Sequence, residues 1–229
     1  MKTVLIFGAN GSIGNYIFTQ FNNETEKYTV IGTTSNSNKT NKNILFVTND
    51  ILENLLLVEN IDIVVWCQGY NYNDNIENFN KNKFQTIMDA NVCFVLTTLN
   101  FLIMNNKLKN NGKMVIISSI WENFSRENKL SYSISKAALA GLVKNVAFDL
   151  SKKNILINNV LPGVIDNEMS QKTLTENELN YIKNYMNFER LITLDDVYKT
   201  VEFLVIKNTG ITGQSINVDL GFTNLRKYK

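Results

Sequence analysis

The sequence contains no histidine, one proline and two cysteines in 229 residues. Without histidine, serine–histidine hydrolysis is excluded. A zinc site would have to be built from carboxylates and thiols alone, so we expect no bound metal. Two cysteines in a chain of this length cannot form a disulfide framework. Three large classes of protein chemistry are therefore removed before any motif is considered.

Charge and long apolar runs are also scarce. The net charge is +2 and is spread without long runs, so we expect neither a nucleic-acid nor a membrane partner. The N-terminal apolar stretch Val4–Phe7 is too short for the core of a signal peptide, and we expect no window to be long and apolar enough to span a membrane. These features predict a soluble, cytoplasmic protein, and the length suits one domain.

Apolar runs of strand length alternate with stretches of helical periodicity along the whole chain. This alternation predicts an α/β protein with a doubly wound parallel sheet, a Rossmann fold, in a single domain over residues 1–229. The segment 166–190 has no clear strand and follows the carboxyl end of one, so we expect a substrate lid there. The predicted strands are Val4–Phe7, Tyr28–Gly32, Ile44–Val47, Ile61–Cys67, Met114–Ser118, Leu156–Leu161 and Ser215–Val218. The predicted helices are Ser12–Phe21, Ile51–Val58, Phe79–Met104, Ser131–Leu150 and Asp195–Val205.

A glycine-rich turn, Gly8–Gly14, lies between the first predicted strand and the first predicted helix. Glycine permits a tight turn and a close approach of the backbone to a pyrophosphate, and the helix N-terminus supplies amide donors and a favourable dipole. Glycine also simply punctuates loops. The position of this turn, after a strand and before a helix, predicts dinucleotide binding.

Tyr132 and Lys136 are four residues apart and therefore share one face of a predicted helix. Taken alone, such a pair is more often part of a surface helix than of a site. Ser119 at the end of the fifth predicted strand and Asn91 in the preceding helix are further polar groups that could converge on the pair. These four residues are the candidate catalytic set.

The chain resembles the short-chain dehydrogenase/reductase family over nearly its whole length, and Thr29–Ser35 resembles the second strand of the 3-oxoacyl carrier-protein reductases. The order of the motifs carries this resemblance. They are Gly8–Gly14, Asn91, Ser119, Tyr132 with Lys136, Pro162-Gly163, Ile211–Gln214 and Val218-Asp219.

The resemblance implies hydride transfer between a nicotinamide cofactor and a small carbonyl or alcohol. Tyr132 would be the general acid or base, with its pKa lowered by the charge of Lys136. Lys136 would hold the nicotinamide ribose, and Ser119 would bind the substrate oxygen. Asn91 would hold a water that relays protons to Lys136. The implied cofactor contacts are Gly8, Asn10, Ser12, Ile13, Gly14, Thr33, Thr34, Ser35, Val47, Gly69, Tyr132, Lys136, Pro162, Gly163, Ile165 and Asn167.

Several positions depart from the family pattern. The glycine spacing G-x-x-G-x-x-G resembles that of the larger, extended branch, but this chain lacks the extra substrate domain of that branch. The family's Asn-Asn-Ala-Gly segment is replaced by Trp66-Cys67-Gln68-Gly69, and its threonine after the Pro-Gly pair by Asn167. Cys67 near the cofactor suggests a redox role, but a small buried residue at the end of a strand is the better interpretation.

The cofactor is predicted to be NADP(H) rather than NAD(H). An NAD-selective Rossmann domain places an acidic residue about 20 positions after the glycine turn. Here no acidic residue lies between Glu26 and Asp50, and the second predicted strand ends in hydroxyl residues. Lys39 or Lys42 could add positive charge. The neutral Asn10 and Asn15, where such enzymes often carry a basic residue, argue in the other direction.

Other functions remain open at this point. A dinucleotide sensor without turnover is one, although such proteins usually lose the tyrosine or the lysine. A nucleotide-sugar epimerase or dehydratase is another, although the chain leaves little room for a nucleotide. The resemblance implies a homodimer or homotetramer whose interface includes the helices of Asn91 and Tyr132, and the apolar Phe94, Leu99 and Leu102 suit either that interface or the core. Trp121 and Glu122 could face the substrate or could belong to the ordinary surface.

Overall fold

A computed structural model of the protein describes residues 1–35, 44–46, 51–165, 188 and 190–225. Within these residues a seven-stranded sheet runs in the order β3-β2-β1-β4-β5-β6-β7, and every neighbouring pair is parallel. The doubly wound fold predicted from the alternation of strands and helices is confirmed. The strands are β1 (Lys2–Phe7), β2 (Tyr28–Thr34), β3 (Ile44–Phe46), β4 (Ile61–Trp66), β5 (Leu108–Ile117), β6 (Leu156–Pro162) and β7 (Ser215–Val218).

Helices connect the strands, and each predicted helix is present with shifts of a few residues at its ends. Asp89–Cys93 forms a π-helical turn that joins α3 and α4 into one continuous helix. A 3-10 turn, Ile120–Glu122, follows β5, and another, Ser151–Lys153, precedes β6. The helices are α1 (Ser12–Asn22), α2 (Ile51–Leu55), α3 (Lys81–Met88), α4 (Phe94–Met104), α5 (Leu130–Asp149) and α6 (Leu194–Glu202).

The strands bury both of their faces because helices cover the sheet on each side. On the face of α4 and α5, the rings of Phe7 and Trp66 stack with centroids 5.5 Å apart. Trp66 donates its indole N–H to the Thr98 hydroxyl at 2.9 Å, so its one polar group is satisfied in the core. On the face of α1 and α6, Phe21 and Tyr198 meet edge to face at 5.7 Å. Two apolar layers therefore fix the sheet between the helices.

The continuous helix Lys81–Met104 is long and apolar enough to span a membrane by length and composition alone. The expectation that no window meets this criterion is therefore wrong. In the fold, apolar residues of this helix form part of the hydrophobic core, because Val95, Leu99 and Leu102 are buried against the sheet. A helix of a protein core passes the same test of composition, so the helix is weak support for a membrane partner.

The order of strands determines where a ligand can bind. The chain moves outward from β1 through β2 to β3, then returns to place β4 on the other side of β1. The loops after β1 and β4 therefore diverge at the carboxyl edge of the sheet and leave a crevice between them. Open α/β sheets bind their ligands at such a switch point.

Candidate active site

The turn after β1 is shaped by two glycines that cannot carry a side chain. Gly8 has a φ of 75°, and a Cβ there would lie 2.7 Å from the backbone nitrogen of Gln68. A Cβ on Gly14 would lie 2.2 Å from the carbonyl oxygen of Gly8. Gly11 is different, because its Cβ would meet that oxygen at an ordinary 3.4 Å, and it serves as the N-cap of α1. The turn thus keeps the N-terminus of α1 close beneath the crevice.

The segment after β4 forms the other wall of the crevice. The side-chain Oε1 of Gln68 is buried and accepts no hydrogen bond from the residues that the structure describes. A Cβ on Gly69 would lie 3.4 Å from Asn91 Oδ1 and 3.8 Å from Lys136 Nζ. A free acceptor beside a side-chain-free turn fits a dinucleotide, whose phosphates need backbone amides and whose ribose supplies hydroxyl donors.

The fold brings Ser119, Tyr132 and Lys136 together at the carboxyl end of β5. Ser119 is the second residue after the strand, and its side chain hydrogen-bonds to Tyr132. The Lys136 ammonium lies 5.6 Å from the centre of the Tyr132 ring and donates to the carbonyl oxygen of Ile117 at 3.0 Å. The helical spacing of four residues and the end of β5 together produce this cluster.

Asn91 lies in the π-helical turn and is buried. Its Oδ1 accepts from the backbone N–H of Tyr70 at 2.7 Å, while its Nδ2 donates to the Tyr70 carbonyl at 3.0 Å and to the Ser135 hydroxyl at 2.9 Å. The side chain therefore ties the segment after β4 to α5. Both polar atoms of the side chain thus make hydrogen bonds within the protein, so the predicted role of holding a water would fall to the backbone of Asn91. π-turns of this kind are frequent at functional sites.

Burial dominates the electrostatics of the cluster. It raises the pKa of Tyr132 to about 12, against the effect of the hydrogen bond with Ser119. It lowers the pKa of Lys136 to about 8, while the charge of Glu122 raises that pKa. Desolvation is thus the largest influence on the pKa of Tyr132, and the predicted lowering of that pKa by the charge of Lys136 stays a prediction. Burial also raises the pKa of the Cys67 thiol, which favours the interpretation of Cys67 as an unreactive structural residue.

A second lysine, Lys129, flanks Tyr132, and no motif in the sequence marks it. The Lys129 ammonium lies 5.5 Å from the centre of the Tyr132 ring and donates to Asn71 Oδ1 at 2.9 Å and Asn73 Oδ1 at 2.8 Å. Burial, together with the nearby charge of Arg126, lowers the pKa of Lys129 to about 8. No periodic pattern marks the loop after β4, so only the folded chain reveals these partners.

The same loop fixes the start of α5. Asp74 is fully buried, and one of its oxygens accepts from the backbone N–H of Ser131 at 2.9 Å while the other accepts from the Ser131 hydroxyl. A carboxylate at a helix N-terminus is favoured by the unpaired amides and by the helix dipole. Asp74 thus sets the position of the helix that carries Tyr132 and Lys136.

Trp121 and Glu122 are neighbours in the 3-10 turn after Ser119, but they differ in burial, which the sequence could not predict. Glu122 is buried, whereas Trp121 is partly exposed and stacks on Phe124 with ring centroids 5.7 Å apart. Both residues border an open pocket of about 280 Å³. The pocket is lined by Trp121, Glu122, Asn123, Phe124, Ser125, Ser133, Ile134 and Ala137.

The remaining predicted cofactor residues surround the same edge of the sheet. Pro162 ends β6, and the following Gly163 packs on Asp219, since a Cβ there would lie 3.0 Å from the Asp219 Cβ. Ile165 forms a parallel bridge with Ile192. Among the residues of the first turn, Asn10 and Ile13 are partly exposed and Ser12 is exposed; at the end of β2, Thr33 and Thr34 are buried and Ser35 is exposed.

Some predictions fall outside the described residues. Val47, Asn167, Lys39 and Lys42 belong to this group, as does the predicted lid at 166–190 except for Phe188 and Arg190. Their predicted roles remain predictions.

Comparison with known proteins identifies the family. A short-chain dehydrogenase model described as enoyl-(acyl carrier protein) reductase matches residues 41–223, most of the chain. The chain belongs to the short-chain dehydrogenase/reductase family. It is accordingly an NAD(P)-dependent oxidoreductase. A 3-oxoacyl-[acyl-carrier-protein] reductase, FabG, of Buchnera aphidicola subsp. Baizongia pistaciae is 27% identical to it, and the match covers 96% of each chain.

Solved structures show the same fold. The structure of ElxO with NADP bound has a TM-score of 0.80 and 24% identity, covering 98% of this chain and 99% of the other. A 4-hydroxyisoleucine dehydrogenase complexed with NADH has a TM-score of 0.83 and 24% identity, covering 99% of this chain and 100% of the other. The family resemblance stated from the sequence motifs is confirmed.

Proposed function

We propose that this protein reduces a small carbonyl compound, or oxidises the matching alcohol, with Tyr132 as the proton donor or acceptor. One observation carries the proposal. Ser119, Tyr132 and Lys136 meet at the carboxyl end of β5, and Gly69, which borders Lys136, comes from the wall of the crevice opposite the glycine turn. A proton donor and a dinucleotide site therefore share one edge of the sheet.

A nicotinamide cofactor supplies or takes up the hydride when bound. In the reductive direction, Tyr132 gives its phenolic proton to the carbonyl oxygen as negative charge develops there. Ser119 donates a hydrogen bond to the same oxygen and stabilises that charge. Lys136 would hold the ribose of the cofactor, and its ammonium compensates the phenolate that Tyr132 becomes. Asn91 holds the segment after β4 against α5, which keeps the side chains of the cluster in position.

The cofactor is NADP(H) in preference to NAD(H) under this proposal. The support is the absence of a carboxylate at the end of β2, where Thr33, Thr34 and Ser35 stand. An acidic side chain there would bond the ribose 2′-hydroxyl of NAD and repel a 2′-phosphate. Titration with each cofactor tests the preference, and tighter binding of NAD(H) would contradict it.

We also propose a homo-oligomer, but through other residues than those noted in the sequence. Leu99 and Leu102 are buried in the core and the partly buried Phe94 packs against it, so of the two uses predicted for these three residues the core is the one supported. The exposed large apolar residues of the same helices are Leu96 and Met104 on α4 and Ile134 and Phe148 on α5, the last of them 80% exposed. A monomer mass in light scattering at micromolar concentration would refute the proposal.

The activity is tested by following cofactor absorbance with a panel of ketones, aldehydes and a 3-oxoacyl thioester. The last is included because it is the class of substrate named for the FabG relative. Turnover with any member of the panel, lost in Tyr132→Phe, supports a reductase. Cofactor binding without turnover across the whole panel would favour a dinucleotide sensor instead.

A further inference from the structure

Glu122 is a buried carboxylate for which the catalytic scheme above has no role. It lies in the 3-10 turn three residues after Ser119 and is 7% exposed. Its Oε2 accepts from Asn159 Nδ2 at 3.0 Å, and its Oε1 accepts from the Ser215 hydroxyl. Asn159 and Ser215 are direct register partners on β6 and β7. The carboxylate is therefore fixed to two strands by hydrogen bonds to both of its oxygens.

Those hydrogen bonds favour the ionised form of Glu122, because each carboxylate oxygen accepts a hydrogen bond from a donor. Burial acts in the opposite direction and raises the pKa of the carboxyl group. A buried charge is expensive unless another charge lies within reach. The nearby cation is Lys136: its ammonium is bonded to the carbonyl of Ile117, the last residue of β5, while Glu122 is bonded to Asn159, which pairs with the neighbouring Ile116 across β5 and β6.

We propose that Glu122 is a positioning residue for Lys136: its carboxylate, held by Asn159 and Ser215, keeps the buried Lys136 ammonium charged at neutral pH. Lys136 is itself buried, and desolvation favours its neutral amine. The opposing carboxylate restores the charge on which the contact with the ribose and the compensation of the Tyr132 phenolate depend. This inference rests on the role of Lys136 in the proposed function.

The titratable groups around Lys136 come from three elements. Glu122 approaches from the 3-10 turn, Cys67 from the end of β4, and Tyr132 from the preceding turn of α5. The buried Cys67 thiol is neutral at physiological pH, since its pKa is raised. Tyr132 is also neutral there, as its pKa is about 12. Glu122 is therefore the anionic side chain of this set that can hold the proton on Lys136.

The substitution Glu122→Gln separates charge from structure. The glutamine Oε1 can still accept from Asn159, and its amide can donate to the Ser215 hydroxyl, so both hydrogen bonds survive while the charge is lost. Glu122→Asp keeps the charge on a shorter side chain. Glu127→Gln is the matched control, because Glu127 is exposed in the same loop.

The direct readout is the pH titration of the Lys136 13Cε resonance in lysine-labelled protein, assigned by its absence in Lys136→Met. We expect the midpoint to fall by about one unit in Glu122→Gln, to fall less in Glu122→Asp, and to stay unchanged in Glu127→Gln. A midpoint within roughly 0.3 units of wild type in Glu122→Gln, far below the shift expected for a close charge, would overturn the proposal. Equal shifts in the glutamine and aspartate variants would also overturn it.

Turnover provides the second readout. If Lys136 must be charged, activity falls as pH rises through its pKa, and this limb should move to lower pH in Glu122→Gln while the rate below the limb stays near wild type. A rate that is lower by the same factor at every pH would indicate a purely structural role and contradict the proposal. The resonance titration needs no turnover, so it decides the role of Glu122 even if the proposed function fails.

Discussion

The glycine turn after β1 and the polar cluster after β5 lie at the same edge of the sheet but depend on different physical properties. The turn is defined by backbone geometry, since a Cβ on Gly8 or Gly14 would collide with backbone atoms. The cluster is defined by burial and charge, since Tyr132 and Lys136 both have pKa values displaced by desolvation. An added side chain is therefore expected to disrupt the glycine turn, whereas loss of the Lys136 charge or of the Tyr132 proton is expected to disrupt the cluster.

This difference predicts distinct consequences of mutation. Substitutions in the turn should reduce cofactor binding and stability together, because the backbone must move. Substitutions in the cluster should reduce turnover while the fold remains, and cofactor binding should weaken only where Lys136, the proposed ribose contact, is replaced.

The largest expected effect is that of Tyr132→Phe. Removing the phenolic hydroxyl leaves the ring in place but removes the proton donor, so kcat should fall by roughly 10²–10⁴-fold. Cofactor affinity, measured by fluorescence titration, should stay within a few-fold of wild type. Retention of turnover within about threefold would place proton transfer elsewhere.

Gly14→Ala should have the next largest effect. Its Cβ would lie 2.2 Å from the Gly8 carbonyl oxygen, so the turn must open. We expect a loss of roughly 1–3 kcal/mol in the free energy of unfolding and a clear loss of cofactor affinity. Gly11→Ala is the control, because its Cβ meets that oxygen at 3.4 Å; it should cost under about 1 kcal/mol, the scale of a helix N-cap. Equal effects in the two variants would disprove the steric account.

Cofactor affinity should also depend on pH through Lys136. Its pKa is about 8, so the ammonium is charged below this value and loses its charge as the pH rises through it. Affinity for NADPH should therefore be highest below pH 8 and should decline above it. Isothermal titration calorimetry across this range checks the sign, and Lys136→Met should bind weakly with a flat profile. A wild-type affinity that rises above pH 8 would contradict the proposed ribose contact.

The sequence predicted the fold better than it predicted the environment of the site. Periodicity and alternation identified the strands and helices, because a sheet covered on both faces needs continuous apolar strands. The positions of Asn91, Ser119, Tyr132 and Lys136 followed from family resemblance, and the fold places them at one edge. The apolar stretch in Lys81–Met104 was underestimated, since a core helix can match a membrane span in composition.

Long-range polar contacts could not be predicted in the same way. Glu122 and Asp74 lie in irregular segments with no period, and their partners are 37 to 93 and 57 residues distant in sequence. A single sequence contains no signal that such a carboxylate is buried rather than solvated. Their roles emerge only when the ends of β4, β5, β6 and β7 are brought together.

The smallest expected effect is a loss of stability without a change in turnover. Thr193 and Asp196 form a capping box at the start of α6, and Arg190 pairs with Asp196 at 2.9 Å. Thr193→Ala should cost about 1 kcal/mol of stability and lower Tm by about 2–4 °C, with turnover at 25 °C unchanged.

The hydrogen bond from Arg190 lowers the pKa of Asp196 to about 2, so the carboxylate's stabilisation is complete above its unfolded pKa and is lost as the pH falls toward 2. Asp196→Asn should therefore be less stable than wild type at pH 7, with the difference shrinking in acid. A loss of turnover in either variant would show that the start of α6 also contributes to the site, and the division between a structural and a chemical region would then have to be redrawn.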